Sequence, residues 1–281
     1  MKIVVVGNQS AGKSTILNKL FSNVREDYEH TAFDSFSTSM TVDGNHFEVT
    51  LAEAQNPQEA YDRLRYLSYE DADAFLLVLS VDDENPTSTV SYWSKELKEH
   101  RPNIPIILVG NKIDLRSDDS LKDSLLTPEA GQDLAQKFGC QYIEISAKDK
   151  VNIEKPFEKA ISAVANEAKK NKNKTDIIQE IDKYKTKRES LDTYTSKFGL
   201  FKFLYGTIIT PFKKEQKLAA AEALKKVISG EANPETLKEH IGALSERNSN
   251  LKRVFDSALI KFPELKNEIS ENSSNISMRI K

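Results

Sequence analysis

The sequence predicts an α/β fold over residues 1–168, a mostly parallel, doubly wound sheet with one antiparallel hairpin strand, and an all-α domain over 175–281. Three observations carry this. Short apolar runs alternate with helix-period stretches through the first 165 residues. The first run opens directly into a glycine-bounded loop and then a helical pattern. Past Ala168 the segments carry helical spacing and no strand alternation.

The elements follow in order. Residues 3–6, 75–79, 104–109 and 142–145 are continuous apolar runs, the composition of strands buried on both faces. Helical periodicity fills 14–21, 88–100, 128–138 and 152–168. Residues 37–42 and 47–51 flank Asp43-Gly44, a turn pair that reverses a chain into a hairpin. Residues 169–174 are almost all Lys and Asn and read as a linker. Beyond it, 175–195 spaces Ile177, Ile178, Ile181, Tyr184 and Leu191 as a helix does. Residues 212–228 are rich in strong helix formers. Gly230 ends that helix and Pro234 starts the next. Stretches 237–244 and 251–262 complete a four-helix unit, and the tail from Ser270 is polar.

Composition narrows the function. The chain has 281 residues, 38% hydrophobic and 30% charged, with a net charge of −3. Its single cysteine, Cys140, excludes an internal disulfide framework and a cysteine zinc cluster, and fits a reducing, cytoplasmic compartment. Residues 1–165 hold 17 Lys+Arg against 27 Asp+Glu, and the remainder is basic. That asymmetry suggests two units with different tasks. A basic helical surface reads as solvated, so no nucleic-acid partner is expected. The apolar run at 3–6 is too short for a signal core, no run spans a membrane, and Met278-Arg279-Ile280-Lys281 is no prenylation signal.

Gly7-Asn8-Gln9-Ser10-Ala11-Gly12-Lys13-Ser14 fits G-x-x-x-x-G-K-[ST] between a strand and a helix. Such a loop wraps phosphates with backbone N–H groups, and the helix N-terminus adds its positive dipole end. Gly7, Ser10, Ala11, Gly12, Lys13, Ser14 and Thr15 are the expected nucleotide contacts. Lys13 would reach the outer phosphates and Ser14 would ligate Mg²⁺. Asn111-Lys112-Ile113-Asp114 and Ser146-Ala147-Lys148 each follow a strand, where ligands bind in α/β sheets. A carboxylate at Asp114 can accept two hydrogen bonds from guanine, an edge adenine lacks. The Asn111 amide can meet the N7/O6 side, and the Lys112 stem can pack on the base. Together the three motifs point to GTP or GDP.

On these residues the chain resembles small GTPases of the Ras superfamily, nearest the Rho/Rac branch, over roughly residues 1–168. Val42-Asp43-Gly44, Tyr61-Asp62-Arg63-Leu64-Arg65-Tyr66-Leu67-Ser68-Tyr69, Pro102-Asn103-Ile104-Pro105 and Leu126-Thr127-Pro128 add to the resemblance, while the helical insert of Rho proteins is shortened between Arg116 and Leu126. The resemblance implies that Tyr28-Glu29-His30-Thr31-Ala32-Phe33-Asp34 is switch I, with Thr31 ligating Mg²⁺, and that protein partners bind through the switch regions and the helical domain.

Two departures bear on hydrolysis. The family's Asp-Thr-Ala-Gly-Gln motif is absent. Counting back from Tyr61 puts Ala54 at the metal-side aspartate and Gln58 at the catalytic glutamine; counting forward from Val42-Asp43-Gly44 puts Glu53 there. The strand phase of Phe47, Val49 and Leu51 favours Glu53, with an insertion near Asn56-Pro57 restoring Gln58. Gln9 stands where Ras-like proteins usually carry glycine, and crowds the attacking water and an inserted arginine. The expectation is a protein that binds guanine nucleotide and hydrolyses GTP slowly, a weak GTPase. The alternatives are a working Gln58 in a relocated switch II, and a non-catalytic scaffold or decoy. A P-loop kinase or ATPase is disfavoured by Asn111-Lys112-Ile113-Asp114.

The apolar stretch 198–209 reads as bundle core in preference to a membrane-surface helix. Residues 201–205 and 214–222 also resemble a helical segment of effectors that intracellular bacteria inject into host cells, which implies a GTPase mimic acting in a host. Trp93 reads as packing.

Overall fold

A computed structural model describes residues 1–21, 35–54, 62–197, 211–246 and 249–270. The chain divides into two compact units, Met1–Glu167 and Ala168–Lys281.

The first unit is a six-stranded sheet in the order β2-β3-β1-β4-β5-β6. Its strands are β1 (Lys2–Val6), β2 (Ser35–Val42), β3 (Asn45–Glu53), β4 (Ala74–Ser80), β5 (Ile106–Asn111) and β6 (Gln141–Glu144). Only β2 and β3 pair antiparallel; the other neighbours are parallel. Asp43 and Gly44 both have positive φ, 51° and 76°, which matches the right-handed twist of the strands they join. The edge strand β2 alternates exposed Ser and Thr with half-buried residues, and its polar outer face suits its position.

Helices cover both faces. The helices are α1 (Lys13–Phe21), α2 (Asp62–Tyr69), α3 (Pro86–His100), α4 (Pro128–Phe138) and α5 (Lys155–Lys197). Ile3, Val5, Leu76, Val78, Ile107 and Val109 pack with Ile16 and Leu17 of α1 and Phe157 and Ile161 of α5. Val4, Val6, Phe75, Leu77 and Leu108 pack on the opposite face with Tyr69 of α2, Trp93 and Leu97 of α3, and Leu134 of α4. Successive side chains therefore enter two different cores, which is why these strands read as unbroken apolar runs. Thr127 caps α4 by accepting from the Ala130 N–H at 3.2 Å, and Gly139 ends it with φ 70°. Two short 3-10 turns, Ile113–Ser117 and Lys122–Ser124, lie between β5 and α4.

The second unit is helical: the later turns of α5, then α6 (Pro211–Ser229), a 3-10 turn (Pro234–His240), α7 (Ile241–Leu244), α8 (Asn250–Lys261) and α9 (Pro263–Ser270). Ile177 and Ile181 of α5 pack with Ala220, Ala221 and Leu224 of α6, and with Leu251 and Phe255 of α8. Gly230, at φ 84°, closes α6: the Glu231 N–H reaches the Lys226 carbonyl at 2.8 Å and the Gly230 N–H reaches Val227 at 3.1 Å.

Two expectations are corrected. Residues 169–174 are no irregular linker; they lie inside α5, which runs unbroken from Lys155 to Lys197. No Gly or Pro occurs from 157 to 197, and Lys is a good helix former, so nothing there stops the helix. The last helix was expected to end at Phe262, yet Pro263 starts a further one, as Pro does at a first helical position, and Leu265 buries its side chain.

Candidate functional site

β1 lies between β3 and β4, so the sheet order reverses at its C-terminal end, and a crevice is expected there. The loop from Gly7 to Gly12 sits at that point. Gly7 has φ 141°, and a Cβ on it would come within 2.2 Å of the Val78 carbonyl oxygen. Only glycine lets the loop leave β1 so close to β4. Gly12, at φ 95°, has the same requirement: its Cβ would lie 2.3 Å from Asn111 Nδ2. Lys13 is buried, and its ammonium donates to the carbonyls of Gly7 at 2.9 Å and Asn8 at 3.0 Å. Burial pushes its pKa below the usual lysine range, and the charge of Glu53 opposes that fall. A buried ammonium held over a phosphate-type loop is poised for an anion. Gln9, Ser10, Ser14 and Thr15 are exposed, and Ala11 is buried.

The strand register turns Glu53 and Ala54 to opposite faces. Val5 pairs with Glu53, and Ser14 Oγ donates to Glu53 Oε1 at 2.9 Å. Ala54 turns to the opposite face: its N–H reaches the Val5 carbonyl at 2.9 Å and its side chain is buried in the core with Val6 and Tyr69. The hydroxyl and carboxylate oxygens of Ser14 and Glu53 are hard donors of the type Mg²⁺ takes. Among the described residues, no three His, Cys, Asp or Glu side chains come together as a metal cluster. Thr31 and Gln58 lie outside the described residues.

The base-side loops are tied to the phosphate loop by one side chain. Asn111 is buried; its Nδ2 donates to the Ala11 carbonyl at 2.9 Å, and its Oδ1 accepts the Ala147 N–H at 3.1 Å. Both ends of the amide are thus engaged by the protein. Asn111 therefore ties the phosphate loop to the 146–148 loop, and the missing side chain of Gly12 lets the loop backbone approach the amide. Asp114 is aimed by Ser146, whose hydroxyl donates to Asp114 Oδ1 at 2.7 Å, and by Lys148, 3.7 Å from Oδ2. Lys112 stands in the left-handed region, φ 68°, with its ammonium 3.6 Å from Asp82.

Sequence reasoning missed a network on α3. Trp93 is fully buried as expected of packing, but its indole N–H also donates to Asn8 Oδ1 at 2.9 Å. Asn8 Nδ2 donates to Thr89 Oγ1 at 3.2 Å, and the Thr89 hydroxyl donates to Asp83 at 3.0 Å. One turn further on, Glu96 accepts from Arg65 Nε at 2.9 Å and Nη2 at 3.0 Å, and from the hydroxyls of Tyr69 at 2.9 Å and Tyr92 at 3.0 Å. Burial opposes the Arg65 charge, but Glu96 and Asp62 overcome it and raise the pKa further. Burial and then the hydrogen bond to Glu96 raise the Tyr92 phenol to about 12. The helical spacing of Thr89, Trp93 and Glu96 was visible; their partners up to 85 residues away were not.

Among the described residues no helix is long and apolar enough to cross a membrane. A family model described as the Ras family matches residues 2–166 of this chain.

Proposed function

The chain belongs to the Ras family, and from that footing we propose that its GTP-binding, small GTPase-like domain hydrolyses GTP slowly and works as a switch that stays loaded. The observation that carries the nucleotide reading is the tie at Asn111, which holds the phosphate loop and the 146–148 loop on one side chain. It links the loop proposed to hold the phosphates to the segment whose Ser146 donates to Asp114, the carboxylate proposed to read guanine. Slow hydrolysis is supported by Gln9, an exposed side chain on the loop where an attacking water and an inserted arginine would enter.

Ser14 and Glu53 would hold Mg²⁺, which when bound neutralises charge on the phosphates. Lys13 supplies a second positive charge from the loop. Ser146 and Lys148 orient Asp114 toward the base. The proposed partner readout is of Rho/Rac type, on Asp62–Tyr69 and Leu126-Thr127-Pro128. The resemblance of 214–222 to injected effectors needs no partner to explain it: Ala220 and Ala221 are fully buried in the helical core.

The test is to denature purified protein, identify the released nucleotide by chromatography, and follow single-turnover GTP hydrolysis in wild type and Gln9→Gly. Bound GTP that persists, with faster turnover in Gln9→Gly, supports the proposal. A wild-type rate in the ordinary small-GTPase range refutes slow hydrolysis and leaves Gln58 as a working catalytic residue. Absence of nucleotide and of uptake favours a non-catalytic scaffold.

A further inference from the structure

We infer that Asn8 is a positioning residue that clasps the phosphate loop to helix α3, and that this clasp sets how fast nucleotide leaves. The inference rests on the guanine-nucleotide reading above. Asn8 lies in the loop between Gly7 and Gly12, next to the exposed Gln9 and Ser10. Its main chain and its side chain have separate tasks. The carbonyl accepts from Lys13 Nζ at 3.0 Å, so the place of Asn8 sets the place of the phosphate-binding ammonium. The side-chain amide faces α3 and is engaged at both ends, by Trp93 at Oδ1 and Thr89 at Nδ2.

The orientation of that amide is not arbitrary. An indole N–H can only donate, so the atom facing Trp93 must be the oxygen. The Thr89 hydroxyl spends its one proton on Asp83 Oδ2, so it can only accept from Asn8. A carboxylate at position 8 would keep the Trp93 bond and set its second oxygen against the lone pairs of Thr89. The amide is the side chain of this size that satisfies both. Thr89 and Trp93 are four residues apart on one buried face of α3, so the clasp has two anchors on a rigid element.

The experiment measures release of a fluorescent guanine nucleotide from the full chain, for wild type, Asn8→Ala, Thr89→Val and the double variant. Trp93 is the only tryptophan in the chain, so its emission reports the clasp directly. Loss of two neutral hydrogen bonds in Asn8→Ala should speed release about tenfold, and loss of one in Thr89→Val about threefold to fivefold. The double variant should match Asn8→Ala, because both act on one link. Trp93 emission should shift in Asn8→Ala and stay near wild type in Thr89→Val. Release at the wild-type rate in both single variants overturns the inference, as do effects that multiply in the double variant. Wild type that takes up no guanine nucleotide would instead overturn the reading beneath it, while the emission comparison without nucleotide still tests the clasp.

Discussion

Replacing Glu96 by alanine tests the buried network that fixes α2 to α3. The Arg65 side chain is 1% exposed and the Glu96 side chain 9%, so solvent screens the pair little. Glu96→Ala removes the acceptor of four hydrogen bonds, from Arg65 Nε and Nη2, Tyr69 and Tyr92. Asp62, 2.6 Å from Arg65 Nη1, remains and offsets part of the charge. Breaking such a pair from one side costs about 3–5 kcal/mol, because the surviving charge is left buried. That is a large fraction of the roughly 5–15 kcal/mol that holds a domain together. It corresponds to a fall in melting temperature on the order of 10 °C for a unit of this size. Urea unfolding followed by Trp93 emission reads the first unit alone, since that unit holds the only tryptophan. Replacing both partners, Arg65→Met with Glu96→Leu, should recover part of the loss, limited by the Tyr69 hydroxyl that loses its acceptor. A loss under about 1 kcal/mol for Glu96→Ala would refute the reasoning, since an exposed pair behaves that way.

Three further outcomes are expected. Gly12→Ala should lower the melting temperature and weaken nucleotide binding more than about tenfold, since strained backbone costs about 1–3 kcal/mol and the new Cβ meets Asn111; unchanged binding in a competition assay would contradict this. Asp114→Ala should weaken GDP binding about a hundredfold and leave ADP binding unchanged, because a charged acceptor contributes about 1.5–3 kcal/mol per bond; equal losses for both bases would refute the base-reading role. Lys13 should take up a proton when phosphates bind. Its pKa is lowered in the free protein, so between that value and the ordinary 10.5 the folded lysine is partly neutral, and bound anions restore its charge. Affinity should therefore fall as pH rises through that window. Stability of the free protein should rise there, because the unfolded chain holds the proton that folded Lys13 has lost. Calorimetry in buffers of different ionisation heat detects the uptake, and its absence in that alkaline window would contradict the lowered pKa.

Much of this molecule is legible one segment at a time. The apolar runs of β1, β4 and β5 announce strands buried on both faces, since each residue type there tolerates no water on either side. Asp43-Gly44 announces its turn through backbone sterics alone. Gly7, Gly12, Lys13 and Ser14 announce a phosphate loop, because close backbone approach and a cation need those residue types at that spacing. These features depend on neighbours a few positions away. Asn111 and Trp93 do not. Each also makes a cross-link to a partner far along the chain that no local pattern names. Which of Glu53 and Ala54 faces Ser14 is of the same kind: alternation leaves a one-residue ambiguity, and the folded chain sets Glu53 beside Ser14. The unbroken α5 and the boundary within it follow from packing as well. Lys and Asn at 169–174 are compatible with helix and with loop, and the absence of any Gly or Pro lets the helix continue from one hydrophobic core to the next. Local residue chemistry thus states what each segment can be, and long-range contact, which costs chain entropy and is repaid only in the folded state, decides which partner each side chain meets.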